Sequence, residues 1–272
     1  MRSPVENRSS RHGVPLLLDL RRELKRVAVA GNAPAMQAYM KSDMPYHGVS
    51  AAAMRAACRR VFAAHPMASA AAWRRAALAL WDGATHREER YAAIEWTGDR
   101  RARAFQTLEA LPMYEHMIVT GAWWDTVDAL AKLRLGELLR REPKKMRSRM
   151  LAWSMDANIW KRRSAILCQL GFKGDTDLPF LYACIEPSLE PNLRRGALRG
   201  RSRSATDLFF LRKAIGWALR QYAWTDPKEI ARFVRSRGDA LSGLSRREAL
   251  KNIQGARAIT ANVAPSRSAR RA

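Results

Sequence analysis

Trp124 and Asp128 stand four residues apart in Gly121-Ala-Trp-Trp-Asp-Thr-Val-Asp128. On a helix they share one face, one turn apart. A large π surface beside a carboxylate suits a cationic target: the ring acts through its quadrupole and the acid through its charge. Val127, Leu130, Ala131 and Trp123 fall elsewhere around such a helix and can anchor it. A plainer reading fits the same letters, with both indoles in the core and Asp128 a solvated helix residue. The stretch alone does not decide between them.

Two further segments carry similar potential. Asn158-Ile-Trp-Lys-Arg-Arg-Ser-Ala-Ile-Leu167 sets a triple basic run at the start of an apolar helix, an arrangement that usually marks a solvated face. In Leu211-Arg-Lys-Ala-Ile-Gly-Trp-Ala-Leu-Arg-Gln-Tyr222, Trp217 and Arg220 lie one turn apart. Gly216 inside that helix costs about 1 kcal/mol relative to Ala, which predicts close approach of a neighbouring helix or a ligand.

The elements that must position these residues read as helices throughout. Apolar residues recur at helical spacing from Leu16 to Ala28, and again over 51–64, 70–82, 87–97, 103–119, 135–141, 144–155, 158–170, 176–185, 206–222, 227–235 and 245–253. Gly, Pro, Asn or Asp mark the joints, and no period-2 run is long enough for a strand. The expected fold is all-α: a curved solenoid of HEAT/ARM-like helical repeats with a basic concave face. One such domain spans 14–254, flanked by basic tails over 1–13 and 255–272 that are expected to be disordered. Residues 186–204, rich in Pro, Gly and Arg, read as a long basic loop inserted in that domain, either a phosphate contact or a solvated insertion.

Charge narrows the partners. Among 272 residues, 49 Lys+Arg against 25 Asp+Glu give a formal net charge of +24, which points to a polyanion, either nucleic acid or an anionic membrane surface. No run of 18 apolar residues occurs, and the N-terminus lacks the apolar core of a signal peptide. The expected location is therefore cytoplasmic, nucleoid-associated if the partner is DNA. Cys58, Cys168 and Cys184 sit within apolar patterns and are expected to be reduced, buried thiols. The five histidines show no metal-ligand spacing, and there is no phosphate loop, so neither metal nor cofactor is expected.

Six blocks in one order add a family resemblance. They are Tyr39-Met-Lys41 with Pro45-Tyr-His-Gly48, Arg87-Glu-Glu-Arg-Tyr-Ala-Ala93, Trp123-Trp-Asp-Thr-Val-Asp128, Trp160-Lys-Arg-Arg-Ser-Ala-Ile-Leu167, Arg212-Lys-Ala-Ile-Gly-Trp-Ala-Leu-Arg220 and Leu244-Ser-Arg-Arg-Glu-Ala-Leu250. From Leu16 to Ile253 the chain resembles the AlkD-like DNA alkylation repair glycosylases, which are built from HEAT-like repeats. The resemblance implies a monofunctional glycosylase that removes positively charged N3- and N7-alkylated purines (3-methyladenine, 7-methylguanine, bulky adducts) from double-stranded DNA in base excision repair. It implies Asp128 as the catalytic carboxylate, Trp124 and Trp217 as the aromatic residues flanking the lesion, and Arg163 as the arginine clamping the backbone. Arg55 and Arg59 fall where the family has basic contacts to DNA, and Arg220, beside Trp217, is a further DNA-binding candidate.

The chemistry agrees when argued from the residues. An alkylated, cationic purine is already a good leaving group, so the task left is to stabilise positive charge developing on the sugar, which a carboxylate can do. Three departures stand out. Ser50-Ala51 replaces a longer polar side chain and a threonine, Asp156-Ala-Asn158 differs from the acidic-Asn pattern, and 186–204 is longer than the family connector. The alternative from another class is a catalytically inactive helical-repeat protein that binds damaged or branched DNA. A third is a scaffold for an acidic protein, which leaves the Trp/Asp/Arg set unexplained. A monomer is expected.

Overall fold

A computed structural model of the chain describes residues 14–194 and 204–253. The expected tails, and the stretch 195–203 of the expected loop, lie outside the described residues. Every regular element among the described residues is a helix or a helical turn, and the fold is all-α, of the helical-repeat type. The chain divides into two compact units at Thr120 and Gly121.

The first unit holds α1 (Val14–Arg26), α2 (Ala33–Met40), α3 (Ala51–Ala63), α4 (Ala70–Asp82), α5 (Arg87–Thr97) and most of α6 (Leu111–Gly121). α1 packs on α3 and α4, and α5 packs on both of those as well. Trp73 and Trp96 lock α4 to α5, each indole N–H donating to the other residue's carbonyl at 3.3 and 3.2 Å. Three consecutive N–H groups of the connector before α3 converge on one buried carboxylate. Glu88, in the first turn of α5, accepts the backbone N–H of His47, Gly48 and Val49 at 2.9–3.0 Å. Gly48 sits at φ +86°, where a Cβ would meet the Val29 carbonyl. Ser50 then caps α3 by accepting the Ala53 N–H. Ser50 thus serves as a helix cap.

The second unit runs α7 (Trp124–Leu130), a π-turn (Ala131–Leu135), α8 (Gly136–Arg141), α9 (Pro143–Ser154), α10 (Ile159–Leu167), α11 (Leu178–Ile185), α12 (Glu190–Arg194), α13 (Ala205–Ala223), α14 (Pro227–Arg237) and α15 (Gly243–Leu250). Packing follows the repeat pattern. One row passes α7 to α10 to α13 to α15, each against the next, while α9 packs on α10 and α11, and α14 on α13 and α15. The apolar core of this unit gathers Ile166, Leu167, Leu181, Ile185, Ile215, Leu219, Ile230 and Phe233.

The structure corrects several sequence readings. The helix expected over 103–119 is two 3-10 turns followed by α6 from Leu111; Pro112 has no N–H and its ring excludes the preceding turn from the helix. Trp123 is not helical but extended at the N-cap of α7. The segment from 186 to 194, read as loop, folds as a 3-10 turn and α12, with Ser188 and Leu189 buried. The three cysteines are free and buried, and burial pushes the Cys58 and Cys168 thiols up to about 12. No helix among the described residues is long and apolar enough to cross a membrane.

Gly216 has the neighbour its position predicts. A Cβ there would come within 2.5 Å of the Glu248 Cβ and 2.9 Å of the Ser245 carbonyl on α15. Gly216→Ala should therefore lower stability by about 1–3 kcal/mol despite alanine's better helix propensity. A thermal melt at or above wild type would show that α13 and α15 do not approach this closely.

Candidate DNA-lesion site

The candidate site is assembled along the row α7–α10–α13. α10 starts where it does because Asn158 caps it, its side-chain oxygen accepting the N–H of Trp160 at 2.9 Å and Lys161 at 3.3 Å. Asp156 in turn accepts the Asn158 N–H at 2.8 Å, so the Asp-Ala-Asn sequence builds a complete cap. That cap fixes where the basic run points, and the run is divided three ways rather than solvated. Lys161 pairs with Asp156 at 2.5 Å. Arg162, fully buried, donates to the Asp156 carbonyl at 2.8 Å and to the Pro187 carbonyl at 3.2 Å, tying down the turn that precedes α12. Arg163 reaches Asp128.

The Arg163–Asp128 pair is bidentate. Nε donates to Oδ1 at 2.6 Å and one Nη to Oδ2 at 2.8 Å, while the other Nη donates to the Phe210 carbonyl on α13 at 2.6 Å. Asp128 is 8% exposed and Arg163 5%. One guanidinium thus joins three helices. Burial pushes the Asp128 carboxyl above the usual range; Arg163 opposes that shift and nearby Asp125 adds to it. Both carboxylate oxygens keep lone pairs beyond those Arg163 uses, since an ionised carboxylate offers about four acceptor sites.

Aromatic rings pack around this pair. The Phe210 ring lies 5.3 Å from Trp123, edge-on, and 5.0 Å from Trp160, and the Arg163 guanidinium is 5.9 Å from the Phe210 centroid. Trp124 is half-buried at the first position of α7, one turn before Asp128. Trp217 is half-buried on α13, two turns after Phe210 on the same face, and packs against the core cluster. Neither indole is sealed inside the protein.

The other expected residues take no part in the Arg163–Asp128 pair. Arg220 pairs with Glu248 of α15. Arg55 and Arg59 belong to the first unit, exposed one turn apart on α3, with no ion-pair partner among the described residues. Sequence reading missed Phe210, Trp160 and Glu248 as neighbours of the site. Phe210 had a usable signal, seven residues before Trp217, and Glu248 had none.

The described residues also bring together His47, His86 and Glu89, a grouping that linear spacing does not reveal. The two imidazoles stack at 3.7 Å, 8° from parallel, so their in-plane lone pairs run side by side instead of converging. Both Glu89 oxygens accept from Arg21 at 3.0 Å. Burial would raise the Glu89 carboxyl, but His47, Arg21 and the Thr85 N–H hold it at about 2. Arg21 already supplies the cation here, and the group acts as a polar staple between α1, α5 and the 45–49 connector.

A family model described as DNA alkylation repair enzyme matches residues 20–253. The chain belongs to the DNA alkylation repair enzyme family. A solved structure titled "Predicted DNA alkylation repair enzyme from Enterococcus faecalis" is similar, with a TM-score of 0.66 at 26% identity, covering 84% of this chain and 97% of that one. No curated protein matches the chain. The match to the DNA alkylation repair enzyme family takes in both units and every residue of the α7–α10–α13 site.

Removing one member of a buried ion pair leaves the other charge uncompensated, at a cost of about 3–5 kcal/mol. Arg163→Met should show a loss of that size by urea denaturation near neutral pH. Without the arginine the folded-state pKa of Asp128 rises further above its unfolded value. The deficit should therefore shrink as pH falls and the carboxyl protonates. A deficit that does not change between neutral and mildly acidic pH would place the loss in packing rather than charge.

Proposed function

We propose that this DNA alkylation repair family member is a monofunctional DNA glycosylase that excises cationic N3- and N7-alkylated purines. The observation that carries the proposal is Asp128: a buried carboxylate, locked in orientation by Arg163 and set one turn from a half-buried indole. In the reaction the C1′–N bond breaks and the base leaves with the electron pair, which cancels its positive charge. Water adds to C1′ and loses its proton to Asp128 or to solvent. Asp128 stabilises the developing sugar cation through the lone pairs that Arg163 leaves open. Trp124 and Trp217 face the cationic nucleotide, contributing roughly 0.5–2 kcal/mol each by cation–π contact. Arg55 and Arg59 hold phosphates and read no sequence. Arg163 acts through Asp128 as a positioning residue. No cofactor or metal enters this scheme, and one copy of the chain suffices.

The inactive DNA-binding alternative draws on the same pair: a bidentate, buried Arg–Asp bridge also serves as a purely structural tie between helices. The two readings separate on one comparison. Release of 7-methylguanine and 3-methyladenine from methylated duplex DNA should fall by about 10²–10³-fold in Asp128→Asn, the scale for losing one preorganised electrostatic group, with duplex affinity little changed. Excision by the Asn variant at the wild-type rate would remove Asp128 from catalysis, and no excision by wild type would favour the binder. The active form needs the ionised carboxylate, whose pKa burial raises. The rate should accordingly fall along an acid limb centred above the ordinary aspartate range.

A further inference from the structure

Trp217 stands between two cations on one face of α13: Lys213 a turn before it and Arg220 a turn after. Both are committed to one acid. Glu248 of α15 accepts from Lys213 at 2.9 Å through Oε1 and from Arg220 through Oε2. About two turns, or roughly 10 Å of helix, separate the two cations along α13. A single carboxylate spans them because Gly216 has no side chain and lets the Glu248 Cβ and the Ser245 backbone come close. The same approach is secured by Ser245, whose hydroxyl donates to the Arg212 carbonyl at 2.9 Å. The carboxylate is well covered, at 16% side-chain exposure, while Lys213 and Arg220 are 38% and 23% exposed. Lys213 first, then Arg220 and Lys251, hold its carboxyl below the usual range, so it stays charged.

In a chain with so large an excess of Lys and Arg, two cations withheld beside a proposed lesion-contacting residue need a reason. Every cation that meets a phosphate adds affinity without selectivity. We propose that Glu248 is a specificity-determining residue: it withholds the charges of Lys213 and Arg220 from the DNA backbone, so that contact around Trp217 depends on the nucleotide and not on phosphate. This rests on DNA being the polyanion bound, as argued above, but not on base release.

The test is the salt dependence of binding to a short undamaged duplex by fluorescence anisotropy, using the full chain. Glu248→Gln removes the charge and keeps the shape. It should bind about three- to tenfold tighter near 0.1 M salt, and the slope of log K against log salt should steepen by up to about 1.8 as two freed cations engage phosphates. Glu248→Asp keeps the charge and should stay near wild type, whereas a role in packing alone would make the isosteric Gln the milder change. Asp175→Asn, which deletes an exposed carboxylate with no ion pair among the described residues, controls for net charge and should leave the slope nearly unchanged. Equal slopes for Glu248→Gln and wild type, with both folded by circular dichroism, overturn the proposal.

Should the Gln variant not fold, Lys213→Met answers the same question. A withheld cation leaves the slope within about 0.3 of wild type, and a cation already gripping phosphate costs about 0.9. A wild-type chain that binds duplex but releases no base overturns the glycosylase reading and leaves this one standing. Flat slopes do the reverse.

Discussion

The second unit depends on one guanidinium. Arg163 rises from α10 to hold both oxygens of Asp128 on α7 and the Phe210 carbonyl on α13. Apolar packing between these helices is non-directional and tolerates a slip of a fraction of an ångström. A buried, bidentate, charge-assisted contact does not, because its strength falls when either the angle or the distance is lost. Buried ion pairs are weak sources of net stability, since desolvation takes back much of the Coulomb energy. What this one supplies is register: the carboxylate, the indole one turn before it and the helix bearing Trp217 are set relative to one another.

The surroundings suit that purpose. Phe210 does two jobs, with its carbonyl completing the arginine's coordination and its ring packed against Trp123 and Trp160. A π-turn follows α7 directly, and Gly136 lets the chain pass close to the carbonyl of Cys168, the C-cap of α10. Such turns inside helices often accompany functional sites, and here one begins three residues after Asp128. The neighbouring Arg162 carries the same logic further out, anchoring the 187–188 turn from a fully buried position. Each arginine of the basic run is therefore structural first, whatever it does toward DNA.

Charge is managed differently at the two ends of the chain's proposed DNA-binding set. On α3, Arg55 and Arg59 are exposed with no acidic partner among the described residues, the arrangement that phosphate binding favours. Around Trp217 the cations are matched to Glu248. In the first unit, Glu88 and Glu89 are spent on backbone N–H groups, His47 and Arg21. An overall excess of +24 thus says little about where positive charge is available; pairing decides that.

The all-α fold, most helix positions and the close helix approach at Gly216 were legible in the amino-acid sequence. Periodicity and glycine's missing side chain are local properties that the letters carry. So was the Trp124–Asp128 face, because one turn of helix fixes it. The sequence reading erred where local signals compete: Pro112 cut a helix short, Trp123 fell outside one, and tertiary burial of Ser188 and Leu189 drew part of the expected 186–204 loop into helix. Only the tertiary structure decided the partners of each charge. That Arg163 meets Asp128, that Glu248 spans Lys213 and Arg220, and that two distant histidines stack over Glu89 depend on contacts between residues far apart in the chain. No spacing rule encodes which of many arginines will reach which acid, because that choice is made by helix packing and by the cost of leaving a buried charge alone.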